Sequence, residues 1–180
     1  TPLHSSLAAG AAATAGQLLA AGGKVEAKLL SSGKTALHVA VSTPSVAENA
    51  ELLDQVIAAT TDRALNDTDA RGMSALLSAC QQTQPVVVQA LLSRPEIDAV
   101  SAGPDQAAPI HYATREPALQ PMVPRLIERQ ADVNAVDGDG STPLHSSLAA
   151  GAAATAGQLL AAGGKVEAKL LSSGKTALHV

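Results

Sequence analysis

Histidine is the residue type in this sequence whose side chain and spacing could do chemistry, as a metal ligand or as a general acid or base. The histidines each stand fourth in a tetrapeptide that recurs along the 180 residues, and they are His4, His38, His111, His145 and His179. A metal site needs nitrogens about 2.0–2.1 Å from one ion, whereas helices in adjacent repeats lie roughly 8–10 Å apart. One histidine per repeat cannot converge on an ion, so the spacing predicts structural histidines.

Three other patterns imitate functional motifs without meeting their requirements. Gly33-Lys34-Thr35 is similar to the end of a phosphate-binding loop, but Lys28 stands where that pattern needs glycine. Cys80 is the only cysteine, which allows no internal disulfide and predicts a small buried residue on a helix. Aspartates such as Asp137 and Asp139 are expected to form turns rather than to bind calcium. The sequence therefore predicts no catalytic residue, no cofactor, no metal and no enzyme activity.

The elements that position the histidines are repeated. Residues 142–180 are identical to residues 1–39, and the tetrapeptide recurs at spacings of 34, 39, 34, 34 and 34, so four short repeats make a long unit of 141 residues. We name the repeats by their predicted ranges: repeat 1 (1–34), repeat 2 with a long inter-helix loop (35–73), repeat 3 (74–107), repeat 4 (108–141), repeat 1′, the identical copy of repeat 1 (142–175), and the start of a copy of repeat 2 (176–180).

Each tetrapeptide has the residues that begin a helix. Thr142 suits the N-cap, Pro143 the first helical position, and Leu144 the core. This motif, together with Gln17-Leu18-Leu19-Ala20-Ala21-Gly22-Gly23 and Gln130-Ala131-Asp132-Val133-Asn134-Ala135, resembles the ankyrin repeat over the whole chain. The resemblance implies an all-α solenoid of stacked helix-turn-helix units with projecting β-hairpin-like fingers.

In the ankyrin family the motif histidine faces inward and ties the motif threonine to neighbouring backbone. The positions of this sequence that carry the structural motif are Thr1, Pro2, Leu3, His4, Thr35, His38, His111, Thr142, Pro143, Leu144, His145 and His179.

Individual repeats depart from the pattern and predict local differences. In repeat 1, helices over 2–9 and 13–21 should precede a finger over 24–34. The five extra residues of repeat 2 should enlarge a surface loop around Ser42-Thr43-Pro44-Ser45-Val46. In repeat 3, Pro85 should begin the best-buried second helix. In repeat 4 the second helix should begin late, near Pro124, or be kinked, since an interior proline removes a hydrogen bond.

Two leucines on the finger of repeat 1 are the candidate protein contact. Leu29 and Leu30, with their copies Leu170 and Leu171, stand where the family has polar residues. Either the adjacent finger covers them within the chain, or they contact another chain. Replacing both by serine should lower the melting temperature in the first case and abolish assembly in the second.

Composition excludes several partners. Hydrophobic residues make up 46% of the chain but aromatic residues only 1%, so the core must be aliphatic, with Tyr112 as the sole ring. A net charge of −4 with scattered Lys and Arg offers no basic stripe or stacking platform, which predicts no nucleic-acid partner. No apolar run approaches the roughly 18 residues of a membrane span, so we expect no membrane insertion. The single cysteine favours a cytoplasmic location, with cytoskeletal association left open.

The identity of the two copies predicts a non-enzymatic structural or scaffolding protein. We expect a window of a longer array of identical units that mediates protein–protein contacts or filament assembly, including self-association along or between arrays. The native chain should then continue after Val180 as Ala-Val-Ser-Thr-Pro, and the isolated window should expose uncapped apolar faces and be frayed or aggregation-prone. A discrete adaptor that binds one protein partner, an engineered repeat protein, and an enzyme whose catalytic region lies elsewhere remain alternatives.

Overall fold

The computed structural model describes residues 1–168 and Thr176. His179, Leu170 and Leu171 lie outside the described residues. The described part of the chain is helical and contains no strand, and Thr68 and Ser74 form an isolated antiparallel β-bridge. The predicted all-α class is therefore confirmed. The fingers close through hydrogen bonds between residues that are near in sequence, such as the bond from the Asp69 N–H to the Met73 carbonyl at 2.9 Å beside the antiparallel bridge.

Contacts divide the chain into two compact units, Thr1–Ile97 and Asp98–Val180. The helices of the first unit are α1 (Pro2–Ala8), α2 (Ala12–Ala20), α3 (Ala36–Ser42), α4 (Pro44–Ala47), α5 (Ala50–Ala59), α6 (Asp62–Leu65), α7 (Ala75–Gln81) and α8 (Pro85–Leu92). Those described in the second unit are α9 (Pro109–Arg115), α10 (Val123–Glu128), α11 (Pro143–Ala149) and α12 (Ala153–Ala161). No helix in the described residues is long and apolar enough to cross a membrane.

In repeats 2 and 3 the first helix begins at the tetrapeptide because the side chain of its first residue caps the helix. The Ser74 hydroxyl accepts the Leu77 N–H at 3.2 Å, and the Thr35 hydroxyl accepts the His38 N–H at 3.5 Å. These bonds satisfy amide groups that the first helical turn leaves without partners. Helices α1, α3, α7, α9 and α11 are each seven residues long, so the local motif sets a common first helix.

The extra residues of repeat 2 lie in the connection between α3 and α5, as expected, but they form a turn of helix rather than a loop, with Pro44 and Ser45 exposed. Pro44 occupies the first position of α4, where it needs no hydrogen-bond partner for its nitrogen. Val46 is 0% exposed and Ala47 is buried beside it. Asn49 then accepts the Leu52 N–H at 3.0 Å and begins α5. The insertion therefore adds Val46 and Ala47 to the core while its other side faces solvent.

The second helices vary in how much they bury. Helix α8 begins at Pro85 as expected, and it is the best-buried of the described second helices, because four of its 8 residues are buried against four of 10 on α5. These are Val87, Val88, Leu91 and Leu92 on α8, and Leu52, Leu53, Val56 and Ile57 on α5. By contrast, α2 buries only Ala15. Repeat 1 therefore holds its outer helix with little apolar surface.

The second helix of repeat 4 begins late, as its prolines predict. A 3₁₀ turn over Gln120–Met122 precedes α10, which starts at Val123. Pro124 thus lies in the first turn of α10, where its missing N–H breaks no intrahelical bond. Because the chain delays the helix, the proline costs little stability here.

The finger of repeat 1 closes tightly around Gly33. The Leu29 N–H donates to the Lys34 carbonyl at 2.9 Å, and the Gly33 N–H donates to the Leu29 carbonyl at 2.7 Å. The Ala70 N–H donates to the Ser32 carbonyl at 2.9 Å, so the finger of repeat 2 packs directly against it. Gly33 has φ +66°, and a Cβ built there would lie 2.8 Å from the Ala70 nitrogen.

We expect Gly33→Ala to lower the free energy of unfolding by about 1–3 kcal/mol, through a strained backbone and a clash with the next finger. Gly22→Ala is the matched control, because Gly22 also has positive φ (+75°) but a Cβ there meets nothing within 4 Å. Urea unfolding measures the free energy that each variant loses, and the difference between the two losses gives the cost of the clash. Equal losses would show that the finger-to-finger contact contributes nothing.

Candidate protein-interaction surface

The motif histidines lie inside the repeats and are fully hydrogen-bonded in repeat 2. His38 Nδ1 accepts the Thr35 N–H at 3.3 Å and lies 2.8 Å from the Thr35 hydroxyl, while Nε2 lies 2.9 Å from the Met73 carbonyl. Nδ1 therefore carries no hydrogen, and the Nε2–H donates to Met73. The ring joins the start of α3 to the end of the same repeat's finger, which uses both nitrogens and leaves none for a ligand.

Similar bonds recur in repeats 1, 4 and 1′, whereas repeat 3 has Leu77 in place of the histidine. His4 Nε2 lies 3.2 Å from the Lys34 carbonyl, and His111 Nε2 lies 3.0 Å from the Ala135 carbonyl. In repeat 1′, His145 Nδ1 accepts the Thr142 N–H at 3.3 Å. Its Nε2 has no partner among the described residues, and Lys175, the copy of Lys34, lies outside them. These rings position fingers and bring no reactive group to a shared site.

Burial lowers the pKa of three of these histidines. The loss of solvation is the largest cause for His4, His38 and His111, and it outweighs the opposing effect of the carbonyls that they contact. The folded protein therefore favours neutral imidazole at these positions, which is the form that can accept the N–H or hydroxyl of the motif's first residue.

The remaining candidates for chemistry are also used by the fold. Cys80 is buried, and burial raises the pKa of its thiol to about 12, so it is not a nucleophile. Asp69 accepts the Arg71 and Met73 N–H groups at 2.9 and 3.0 Å, and Asp137 accepts the Ser141 N–H at 2.8 Å. Both carboxylates thus close turns. Within residues 1–168 and Thr176, no group of three His, Cys, Asp or Glu could hold a metal ion.

Leu30 is the most exposed large apolar side chain described, at 107% of its reference area. Leu29 beside it is half-buried. Lys28 crosses to the next finger, where its Nζ lies 3.2 Å from Asp67 Oδ1. The neighbouring finger thus contacts part of this segment but leaves the Leu30 side chain exposed to solvent. Packing within the chain therefore does not account for Leu30.

A surface groove of about 800 Å³ lies between α2 and α5, and the sequence did not predict it. It exists because α2 offers Ala12, Ala13 and Gly16 where larger side chains would fill the space. Glu51 is the only ionisable residue in its lining. With no acid–base pair, the groove offers apolar contact rather than catalysis. Gly16 inside an alanine-rich helix is the signal that could have indicated it.

The identical sequences of repeat 1 and repeat 1′ expose opposite faces. Leu7 is 0% exposed where α1 packs on α3, but its copy Leu148 is 36% exposed. Conversely, Thr14 is exposed, whereas its copy Thr155 is 4% exposed in the unit where α10 contacts α12. We call the face that holds Leu7 or its copy Leu148 the following face, because a next repeat covers it. The face that holds Thr14 or its copy Thr155 is the preceding face, because a previous repeat covers it.

The described helices thus define a class of protein: a tandem series of short helices, in which the tetrapeptide of each described repeat begins a seven-residue helix and, except in repeat 3, contributes a buried histidine. No protein-family model matches the chain, and no curated protein is similar to it. Among solved structures, the ankyrin repeat domain of Bcl-3, a unique member of the IkappaB protein family, matches with a TM-score of 0.73 and 27% identity. The match covers 99% of this chain and 78% of that one.

The chain has the ankyrin-repeat fold. The resemblance seen in the tetrapeptides is therefore confirmed at the level of the fold, which serves typically as a non-enzymatic module for protein–protein interaction.

Proposed function

We propose that this chain is a non-enzymatic scaffold, a window of a longer array of identical 141-residue units that binds proteins and assembles into filaments. The observation that carries the proposal is the complementarity of the two copies. Leu7 is buried where α1 packs on α3, whereas its copy Leu148 is 36% exposed, and Thr14 is exposed, whereas its copy Thr155 is 4% exposed. A continuing array covers both faces at every unit.

Energetics supports an array because interfaces between repeats supply most of the stability of stacked repeats. In repeat 1, α2 buries only Ala15, whereas in repeat 1′, where α10 contacts α12, the identical helix buries Thr155, Ala156 and Leu159. Each added unit therefore brings interfaces that a single unit lacks.

An array makes a distinctive prediction for stability against length. Chains of one, two and three 141-residue units should melt at successively higher temperatures, and the free energy of unfolding should rise by a constant step per unit. Chemical unfolding monitored by circular dichroism measures that step. A melting temperature independent of unit number would remove the array from the proposal.

Lateral contact is assigned to Leu30. Burying one leucine contributes roughly 1.5–3 kcal/mol relative to leaving it in water, and Leu30 recurs once per unit in an array. Weak contacts repeated at fixed intervals strengthen one another through effective concentration. The exposed leucine thus supports firm association between arrays without the aromatic residues that are common at binding hot spots.

Leu30→Ser in a chain of several units should abolish lateral assembly and leave helicity and melting temperature unchanged, because the side chain is fully exposed. Val86→Ser is the matched control, since Val86 is also exposed, at 60%, but lies on α8. Sedimentation velocity and electron microscopy report assembly. Assembly that survives Leu30→Ser, or that Val86→Ser abolishes equally, would contradict the assignment.

A discrete adaptor is the second candidate, and the groove between α2 and α5 favours it. Its small, mostly apolar lining could take a segment of one partner protein. Loss of partner capture on Gly16→Leu, which fills the groove, with filaments retained, would favour the adaptor. The reducing cytoplasm is the proposed location, and it rests on Cys80 as the only cysteine.

A further inference from the structure

The groove between α2 and α5 stays open to solvent when a neighbouring repeat is present. In repeat 1, which repeat 2 follows, the α2 residues that line it are half-buried or exposed, and they are Ala12, Ala13, Gly16, Gln17, Leu19 and Ala20. In repeat 1′, where α10 contacts the identical helix α12, the copies of these residues are all exposed, because that contact buries Thr155, Ala156 and Leu159 instead. The α2 wall is therefore not a surface that an adjacent repeat covers.

The other wall of the groove belongs to an interior repeat. Helix α5 contacts α2 of repeat 1 and α8 of repeat 3, so it has neighbours on both sides. It still leaves Glu51, Gln55, Ala58 and Ala59 exposed along the groove. The groove thus recurs once in every 141-residue unit of the sequence pattern, at the boundary between the first two repeats.

The charged side chains on the two walls all have one sign. Residues 1–23 contain no Lys, Arg, Asp or Glu, and residues 35–60 contain no Lys or Arg. The carboxylates of the second range are Glu48, Glu51 and Asp54, and all three side chains are exposed. None of them takes part in an ion pair among the described residues. The groove therefore presents a negative potential that neither helix neutralises.

The size of the groove fits a short helix. Small side chains, Ala12, Ala13 and Gly16 on one wall and Ala58 and Ala59 on the other, allow a third helix to approach both walls closely. Helices α2 and α5 have 9 and 10 residues, which at 1.5 Å per residue makes the groove about 14–15 Å long. This length takes roughly three turns of a helix that places one apolar stripe in the groove.

We propose that this groove binds a basic amphipathic helix of a partner protein. The apolar stripe of that helix lies on the alanines, and its Lys or Arg side chains lie beside Glu51, with Glu48 and Asp54 three residues away on either side. Complementary charge selects the partner and speeds its encounter, while apolar contact supplies most of the affinity. The net charge of −4 on the chain itself disfavours a second copy as the occupant. The inference rests on the adaptor function proposed above and names the chemistry of its partner.

Three synthetic peptides of about twelve residues test that chemistry. The first has leucines on one face of the helix and lysines on the others, the second has glutamate in place of each lysine, and the third has the composition of the first with its leucines spread around the helix. Fluorescence anisotropy measures the binding of each to the 180-residue chain. We expect the first to bind at least about tenfold more tightly than either control. Equal binding of the first peptide and a control, or no binding of the first, would overturn the proposal.

Gly16→Leu locates the site, because leucine fills the groove and is a better helix former than glycine. A Cβ built on Gly16 meets the end of the flexible Gln55 side chain, with Oε1 at 3.3 Å. We expect at least about tenfold weaker binding of the lysine peptide, with no loss of helicity by circular dichroism. Gly157→Leu on α12 is the matched control, since its helix has the same sequence and a Cβ there meets nothing within 4 Å. Equal losses in the two variants would overturn the site.

Glu51→Lys tests the charge. Glu51 is exposed, so the substitution leaves the core intact. The preference for the lysine peptide over the glutamate peptide should fall at least about fivefold, because the nearest carboxylate becomes a cation. Glu128→Lys on α10 is the matched control, since Glu128 is also exposed and the net charge changes equally. A preference that Glu51→Lys leaves unchanged, or that Glu128→Lys lowers equally, would contradict the proposal.

The outcomes separate this inference from the adaptor function. A chain that binds none of the lysine peptide, but whose capture of a partner protein Gly16→Leu abolishes, keeps the adaptor and refutes the basic helix alone. Sedimentation equilibrium without peptide tests the other occupant. Self-association that Gly16→Leu abolishes would make a second copy the occupant and would also overturn the proposal.

Discussion

Replacing His38 by alanine is expected to lower the free energy of unfolding by about 3–5 kcal/mol. The substitution removes the bonds of Nδ1 to Thr35 and of Nε2 to Met73, all within the buried part of repeat 2. The Thr35 N–H and the Met73 carbonyl then lose their partners inside the protein. Each unsatisfied buried group costs about 1–3 kcal/mol, more than the bond itself contributes.

His4→Ala is the control for that prediction. His4 makes the equivalent bonds, but Thr1 is exposed, so water can replace the lost partner. We expect a loss at least about 1 kcal/mol smaller than for His38→Ala. Urea unfolding with circular dichroism detection compares the two. A loss below about 1 kcal/mol for His38→Ala would show that the ring does not hold the finger.

The elements encoded by local sequence could be predicted. A helix start needs only a capping hydroxyl and proline in the first turn, so α11 follows from Thr142 and Pro143 alone. The late start of α10 follows in the same way from Pro124. These signals act over a few residues and do not depend on packing.

Elements decided by packing could not be predicted. The sequence around Pro44 has the composition of a loop, yet Val46 packs into the core and makes it a helical turn. The finger leucines show the same limit, because Leu29 and Leu30 are adjacent and chemically identical but only Leu29 is partly covered.

The two faces of repeat 1 also lie beyond sequence reasoning, although the duplication itself is evident. Identical residues give identical local predictions, so Leu7 and Leu148 cannot be distinguished by sequence. Only the neighbouring repeat decides which of them is buried. The spacing of the histidines, by contrast, predicts that they stay apart, and each described ring bonds within its own repeat.

Lowering the pH from 7 to 5 is expected to destabilise the protein by up to about 1.4 kcal/mol per pH unit for each buried histidine that titrates. Burial lowers the pKa of His4, His38 and His111 below the ordinary 6.5. Between the folded and unfolded pKa values the unfolded chain binds more protons, so stability falls as pH falls. The neutral histidines contribute their full stabilisation above pH 6.5. This stabilisation is lost as the pH falls from 6.5 through the pKa values of the folded state.

Neighbouring carboxylates oppose this effect without reversing it. Asp69 favours the charged form of His38 and Asp137 that of His111, but burial is the larger influence at both. The carboxylate of Asp69 makes stability depend on pH in a second, more acidic range. Burial opposes its ionisation, yet bonds from Met73 and Arg71 lower its pKa below 3.8, so its contribution is lost only under more acidic conditions.

Free energies of unfolding measured by urea at half-unit intervals from pH 8 to pH 4 test the prediction. We expect a plateau above pH 6.5 and a decline below it. His38→Asn is the control, because an amide does not titrate. The free energy of unfolding of this variant should fall less steeply with pH, by the contribution of one histidine, whatever its absolute stability. Stability that rises as the pH falls from 7 to 5 would contradict the prediction, since it would require protonated rings in the folded repeats. An unchanged slope in His38→Asn would show that another group causes the decline.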